Sequence, residues 1–216
     1  MAEPFAVKDC ALIALSSGER AQNLRELRDR MLTVPQGSIY YHFWGGMLRP
    51  HFDNPEYPND FAFWAWHGLR DISLAERLAL INPCHFNTID DLRREVVEVI
   101  EERLEESEIV PWAKNDRQFF FIQSQIVVFD TRIRLEDLKT FTDSISLMTA
   151  SSIFYHFIDA RRRTNSKKDD FSEWLSGLGD NCAELVASFA ALDPYFITLT
   201  ELRQELQLII NQHTGR

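Results

Sequence analysis

The chain has 216 residues, 45% hydrophobic and 26% charged, with 16 Phe and five Trp, enough to bury an aromatic-rich core. A formal net charge of −10 excludes general binding to nucleic acid or to anionic membrane surfaces, which needs clustered Lys and Arg. The three cysteines, Cys10, Cys84 and Cys182, form no close pair, which argues against a disulfide framework or a thiolate zinc site and fits a reducing, cytoplasmic compartment.

The opening stretch, MAEPFAVKDCALIAL, lacks a basic segment followed by a clean apolar run, so no signal peptide is expected. No apolar run reaches the length of a membrane-spanning helix. FAVKDCALIAL (Phe5–Leu15) reads as a strand. The SSGER that follows lacks the second glycine and the lysine of a phosphate loop. Leu24, Leu27 and Met31 then recur at helical spacing. GSIYYHF (Gly37–Phe43) begins a second helix, with Ser38 as its expected N-cap. A loop from Trp44 to Asp60 holds paired glycines, three prolines, Arg49, His51 and Asp53. Long proline-bearing loops concentrate binding functions, so Arg49 and His51 are ligand candidates; a packed surface loop is the alternative.

Asp60-Phe-x-x-Trp64 opens a third helix and a short fourth ends at Asn82-Pro83. A fifth begins at Thr88-x-x-Asp91, a loose capping box, and carries the stripe Ile89, Leu92, Val96, Ile100 and Leu104. After a charged, proline-bearing bridge, RQFFFIQSQIVVFD (Arg117–Asp130) is a clear strand. The order then repeats. SIYYHF at Ser38–Phe43 returns as SIFYHF at Ser152–Phe157, 114 residues on (38 to 152). NDFAFW is echoed by DDFSEW, INPCHF by LDPYF, and LRREV by LRQEL. Four ordered matches mark a tandem duplication.

The expected fold is therefore mainly α with α+β character. Two tandem pseudosymmetric repeats, 1–108 and 109–216, each supply one strand followed by about five helices, and together form one fused domain. A lone strand leaves both edges unpaired, so the two strands are expected to pair at the centre, across an approximate twofold axis.

The duplication also sorts the candidate chemistry. Tyr41, His42 and Asp60 return as Tyr155, His156 and Asp170. One reading makes each histidine a buried clamp whose ring nitrogens tie helices together, with Asp60 and Asp170 as partners. The other makes each set an acid–base group lining a pocket between the repeats. No metal-ligand spacing such as HxxxH or HExxH occurs, so neither metal nor cofactor is expected. Arg161, Arg162 and Arg163, with Lys167 and Lys168, form a basic run that suits an anion, or else a solvated helix end. Arg93 and Arg203, also duplicated, are expected to make ion pairs at the core rim.

With its GSIYYHFW and SIFYHFIDARRRT signatures, the chain resembles an uncharacterised bacterial family that carries the duplicated motif, over nearly its whole length. The resemblance implies no established activity and no catalytic residue, and only an association with sugar-transferring enzymes. The expected function is a non-enzymatic binding or regulatory module, accessory to carbohydrate metabolism, whose partner is a small anionic ligand or a protein, a second copy of the chain included. The alternative is a small enzyme using the two Tyr-His-Asp sets.

Overall fold

The computed structural model describes residues 3–49, 55–106, 112–164 and 166–215. Its sheet has two strands, β1 (Phe5–Ala21) and β2 (Phe119–Leu135), which pair with each other, as the unpaired-edge argument predicts. Both strands run past their expected ends, to Ala21 and Leu135, and each carries a positive-φ residue that marks a bulge.

In β1 the bulge is at Gly18, with φ +78°, where Gly18 N–H donates to Ser16 Oγ and Glu19 N–H to Ser17 Oγ. In β2 it is at Arg132, with φ +65°, where Arg132 N–H donates to Asp130 Oδ1 and Ile133 N–H to Thr131 Oγ1. The hydroxyls also reach across the ladder, Ser17 to Phe121 O at 2.6 Å and Thr131 to Val7 O at 2.5 Å. SSGER is thus a strand bulge; the isolated glycine in a strand pattern was its signal.

The chain divides into two compact units whose boundaries cut through both strands: Met1–Ala11 with Ile126–Arg216, and Leu12–Gln125. The Leu12–Gln125 unit holds α1 (Leu24–Met31), α2 (Gln36–Trp44), α3 (Asp60–His67), α4 (Ile72–Ala79) and α5 (Ile89–Glu106). Asn23, Asn59 and Asp71 cap α1, α3 and α4, each side chain accepting a backbone N–H from the first turn. The core combines Leu27 and Met31 of α1, Ile39 and Phe43 of α2, Phe61, Leu74, Val96 and Ile100 with Phe121 of β2, all fully or almost fully buried. In α5 the buried stripe is Leu92, Val96, Val97 and Ile100, while Ile89 and Leu104 stay at its half-exposed margin.

The other unit holds α6 (Leu138–Ile145), α7 (Ala150–Ile153), α8 (Ala160–Arg163), α9 (Asp170–Leu178), α10 (Ala183–Ala191) and α11 (Leu199–Thr214). A π-helical stretch, Phe154–Asp159, joins α7 to α8 as one helix, with Ala160 N–H reaching back five residues to Tyr155 O. Phe141, Phe154, Phe157, Phe171 and Phe189 fill this core. A capping box opens α11: the Thr198 side chain accepts Glu201 N–H, and Glu201 accepts from Thr198 N–H.

Two expectations need correction. Ser38 is not an N-cap, and neither is its counterpart Ser152. α2 begins one turn earlier behind Pro35, and Thr149 Oγ1 caps α7 by accepting Ser152 N–H at 3.0 Å. The two serines face inward, third in their helices, where Ser152 Oγ donates to Lys8 O at 2.8 Å. Arg93 and Arg203 serve mainly to satisfy carbonyls: Arg93 donates to Met31 O and Val34 O, and Arg203 to Met148 O at 2.8 Å. Carbonyls at helix ends lack intrahelical donors, and a guanidinium supplies several. Arg93 also keeps a surface ion pair with Asp90.

Candidate functional site

The two histidines sit on the inward faces of their helices, His42 at 3% and His156 at 2% exposure. His42 Nδ1 lies 2.9 Å from Asp60 Oδ2, and its Nε2 accepts the backbone N–H of Ile122 in β2 at 3.0 Å. His156 Nδ1 lies 2.7 Å from Asp170 Oδ2, and its Nε2 accepts the backbone N–H of Lys8 in β1 at 2.8 Å. An Nε2 that accepts carries no proton, so each ring is the neutral Nδ1–H tautomer, donating to its aspartate. Each histidine joins a helix to a strand edge and fills hydrogen-bonding positions that the edge would otherwise leave open. Phe119 packs tilted against the His42 ring, centroids 4.6 Å apart, and Phe5 against the His156 ring at 4.8 Å.

Electrostatics follow from this packing. Burial pushes His42 below its ordinary value of 6.5, against the pull of Asp60. Burial alone would raise the Asp60 carboxyl, but the hydrogen bond from His42 and the charge of Arg49 outweigh it and hold Asp60 below the usual carboxylate range. Asp170 is held low in the same way by His156 and Arg163.

Arg49 and Arg163 are the residues whose pairing sequence reading missed. Each stands seven residues after its histidine, and that repeated spacing was the available signal. Arg49 Nη2 donates to Asp60 Oδ2 at 3.0 Å and its guanidinium lies 4.8 Å from the Tyr41 ring centroid. Arg163 Nη2 donates to Asp170 Oδ2 at 3.0 Å, and its guanidinium lies 4.0 Å from the Tyr155 centroid. The structure thus gathers Tyr41, His42, Arg49 and Asp60 in one unit and Tyr155, His156, Arg163 and Asp170 in the other. His51 lies outside the described residues.

The basic run is largely engaged within its own unit. Asp159, buried at 1% exposure, accepts from Arg162 and Arg163. Arg161 lies over the Phe157 ring at 4.5 Å and directs Nη2 to Phe189 O at 3.3 Å. Its role is clear from the first copy. There Asn59 caps α3 and its amide donates to Leu78 O at 2.9 Å. In the second copy Asp169 holds the cap, accepting Ser172 N–H at 2.8 Å and Ser172 Oγ–H at 2.6 Å. An ionised aspartate cannot donate, and Arg161, where the first copy has Met47, meets the carbonyl instead. Burial raises the Asp169 carboxyl. Lys167 and Lys168 are exposed.

Among the described residues no group of three or more His, Cys, Asp or Glu side chains is placed to hold a metal ion. No helix among them is long and apolar enough to cross a membrane. Cys10 is buried, its thiol pushed up to about 12 by burial first and by Asp9 and Asp159 next, so it is not a poised nucleophile.

Comparison with curated proteins gives no match. Among solved structures the chain is similar to one described as "The structure of OrfY from Thermoproteus tenax", with a TM-score of 0.85, 26% identity, and coverage of 100% of this chain and 99% of that one. The model of a family described as "Family of unknown function (DUF5752)" matches residues 2–211, and the chain belongs to that family.

Proposed function

We propose that the protein is a non-enzymatic binding or regulatory module, in which the two Tyr-His-Asp-Arg sets hold strand to helix and leave the half-exposed arginine faces for an anionic group. One observation carries this reading: both ring nitrogens of each histidine are occupied, Nδ1 by an aspartate and Nε2 by a strand N–H. A general base needs a free lone pair within reach of substrate. Here that lone pair is spent on backbone in both copies. A retained clamp in each unit supports an architectural duty, because each unit has a strand edge to hold, β2 at Ile122 in one and β1 at Lys8 in the other.

The test is nitrogen-15 NMR of the imidazole rings across pH 5–8. The reading requires His42 to stay neutral below its ordinary value and both rings to keep their proton on Nδ1, and His42→Gln and His156→Gln to lower stability together with strand protection from hydrogen exchange. Rings that titrate freely with solvent, in variants of wild-type stability, would overturn it in favour of acid–base chemistry.

A further inference from the structure

We propose that Arg49 seats a carboxylate from a bound ligand, in the role that Asp159 plays for Arg163 in the other unit; this rests on the binding-module reading and names its ligand class. The two arginines share a platform. Each lies over a tyrosine ring and donates to the aspartate that holds the histidine. They differ in what else they meet. Arg163 Nε donates to Asp159 Oδ2 at 2.8 Å, and its Nη2 also reaches Tyr155 O at 3.0 Å. Two carboxylates therefore converge on Arg163. Among the described residues one carboxylate, Asp60, meets Arg49, with Tyr41 as its further side-chain partner.

The residue at the position of Asp159 is Gly45, which like Asp159 stands three residues after its histidine and four before its arginine. A Cβ at Gly45 would come within 2.9 Å of the Tyr41 ring, so this position cannot supply a side chain while Tyr41 stays beneath Arg49. Among the described residues the unit offers no second acid to this face of Arg49. The way in is open, since the Arg49 side chain is 40% exposed. A guanidinium offers five N–H donors in a planar fork that matches a carboxylate. The chain's own solution in the other unit is planar and singly charged, which favours a carboxylate over a phosphate dianion in a protein of net charge −10.

The experiment is isothermal titration of the full chain with succinate, with uncharged succinamide and inorganic phosphate as parallel arms. The proposal expects one saturable succinate site, no heat with succinamide, weaker phosphate binding, and at least about tenfold loss of succinate affinity in Arg49→Gln. Asp159→Gly, which empties the equivalent seat on Arg163, is expected to add a second succinate site; circular dichroism verifies that both variants remain folded. Absence of saturable binding, equal affinity in Arg49→Gln, phosphate binding as tight as succinate, or an unchanged single site in Asp159→Gly each overturns it. Histidine titration is read separately, so failure here leaves the clamp reading standing, and freely titrating histidines with succinate binding intact would sink the clamp alone.

Discussion

Replacing His156 by alanine removes three things at once. The Lys8 N–H loses its acceptor, Asp170 loses one of its two donors, and a ring packed between Phe5 and Phe171 leaves a void. An orphaned buried donor costs about 1–3 kcal/mol. The void adds a packing loss of the kind seen in large-to-small core changes, about 2 kcal/mol or more. Arg163 stays 3.0 Å from Asp170, so the carboxylate keeps a charged partner and the cost stays below that of a bare buried ion. The sum is about 3–5 kcal/mol, a large fraction of the roughly 5–15 kcal/mol that holds a typical domain. With a urea slope of about 2 kcal/mol/M, the midpoint should fall by about 2 M. His156→Gln, whose Oε1 can accept the strand N–H, should recover part of the loss. A His156→Ala midpoint equal to wild type, or a Gln variant no better than Ala, would refute the claim that the ring serves the strand edge.

Three further outcomes follow from the geometry. Gly18→Ala should cost about 1–2 kcal/mol by denaturation through backbone alone, because φ is +78° and nothing lies within 4 Å of the added Cβ, whereas Arg132→Gly at φ +65° should be neutral or stabilising; a silent Gly18→Ala counts against the bulge. Stability should fall as pH drops below 6.5, because the unfolded chain binds a proton that buried His42 resists, then fall again below 3.8 as the unfolded chain protonates the aspartate that Asp60's partners keep ionised. His42→Gln should abolish the first fall, and a wild-type profile with no change near pH 6.5 would contradict the assignment. Asn59→Asp should cost about 1–3 kcal/mol by stranding the Leu78 carbonyl, and Met47→Arg added to it should restore part of that, a coupling that a double-mutant cycle of unfolding energies measures; strict additivity would mean that Arg161 does not replace the Asn59 amide.

Much of this protein is local, and the sequence by itself determined it. Helix starts follow from a side-chain oxygen placed to accept an N–H two or three residues on, as at Thr198, and apolar stripes follow from the 3.6-residue period, as in Leu92, Val96 and Ile100. The paired strands followed from a general need, that β1 and β2 not leave both edges open. The pairing of His42 with Asp60 and His156 with Asp170 was legible because both partners repeat in step. What the histidines hold was decided only by tertiary structure: a backbone N–H 80 residues away for His42 and 148 for His156. Every residue but proline carries the same N–H, so no side-chain pattern announces which one will be the acceptor's target. The same reason hid the division of the strands between the two units, and the choice of arginines for carbonyls over anions. Those depend on which backbone groups arrive at an edge or a helix end unpaired, and chain packing alone settles that.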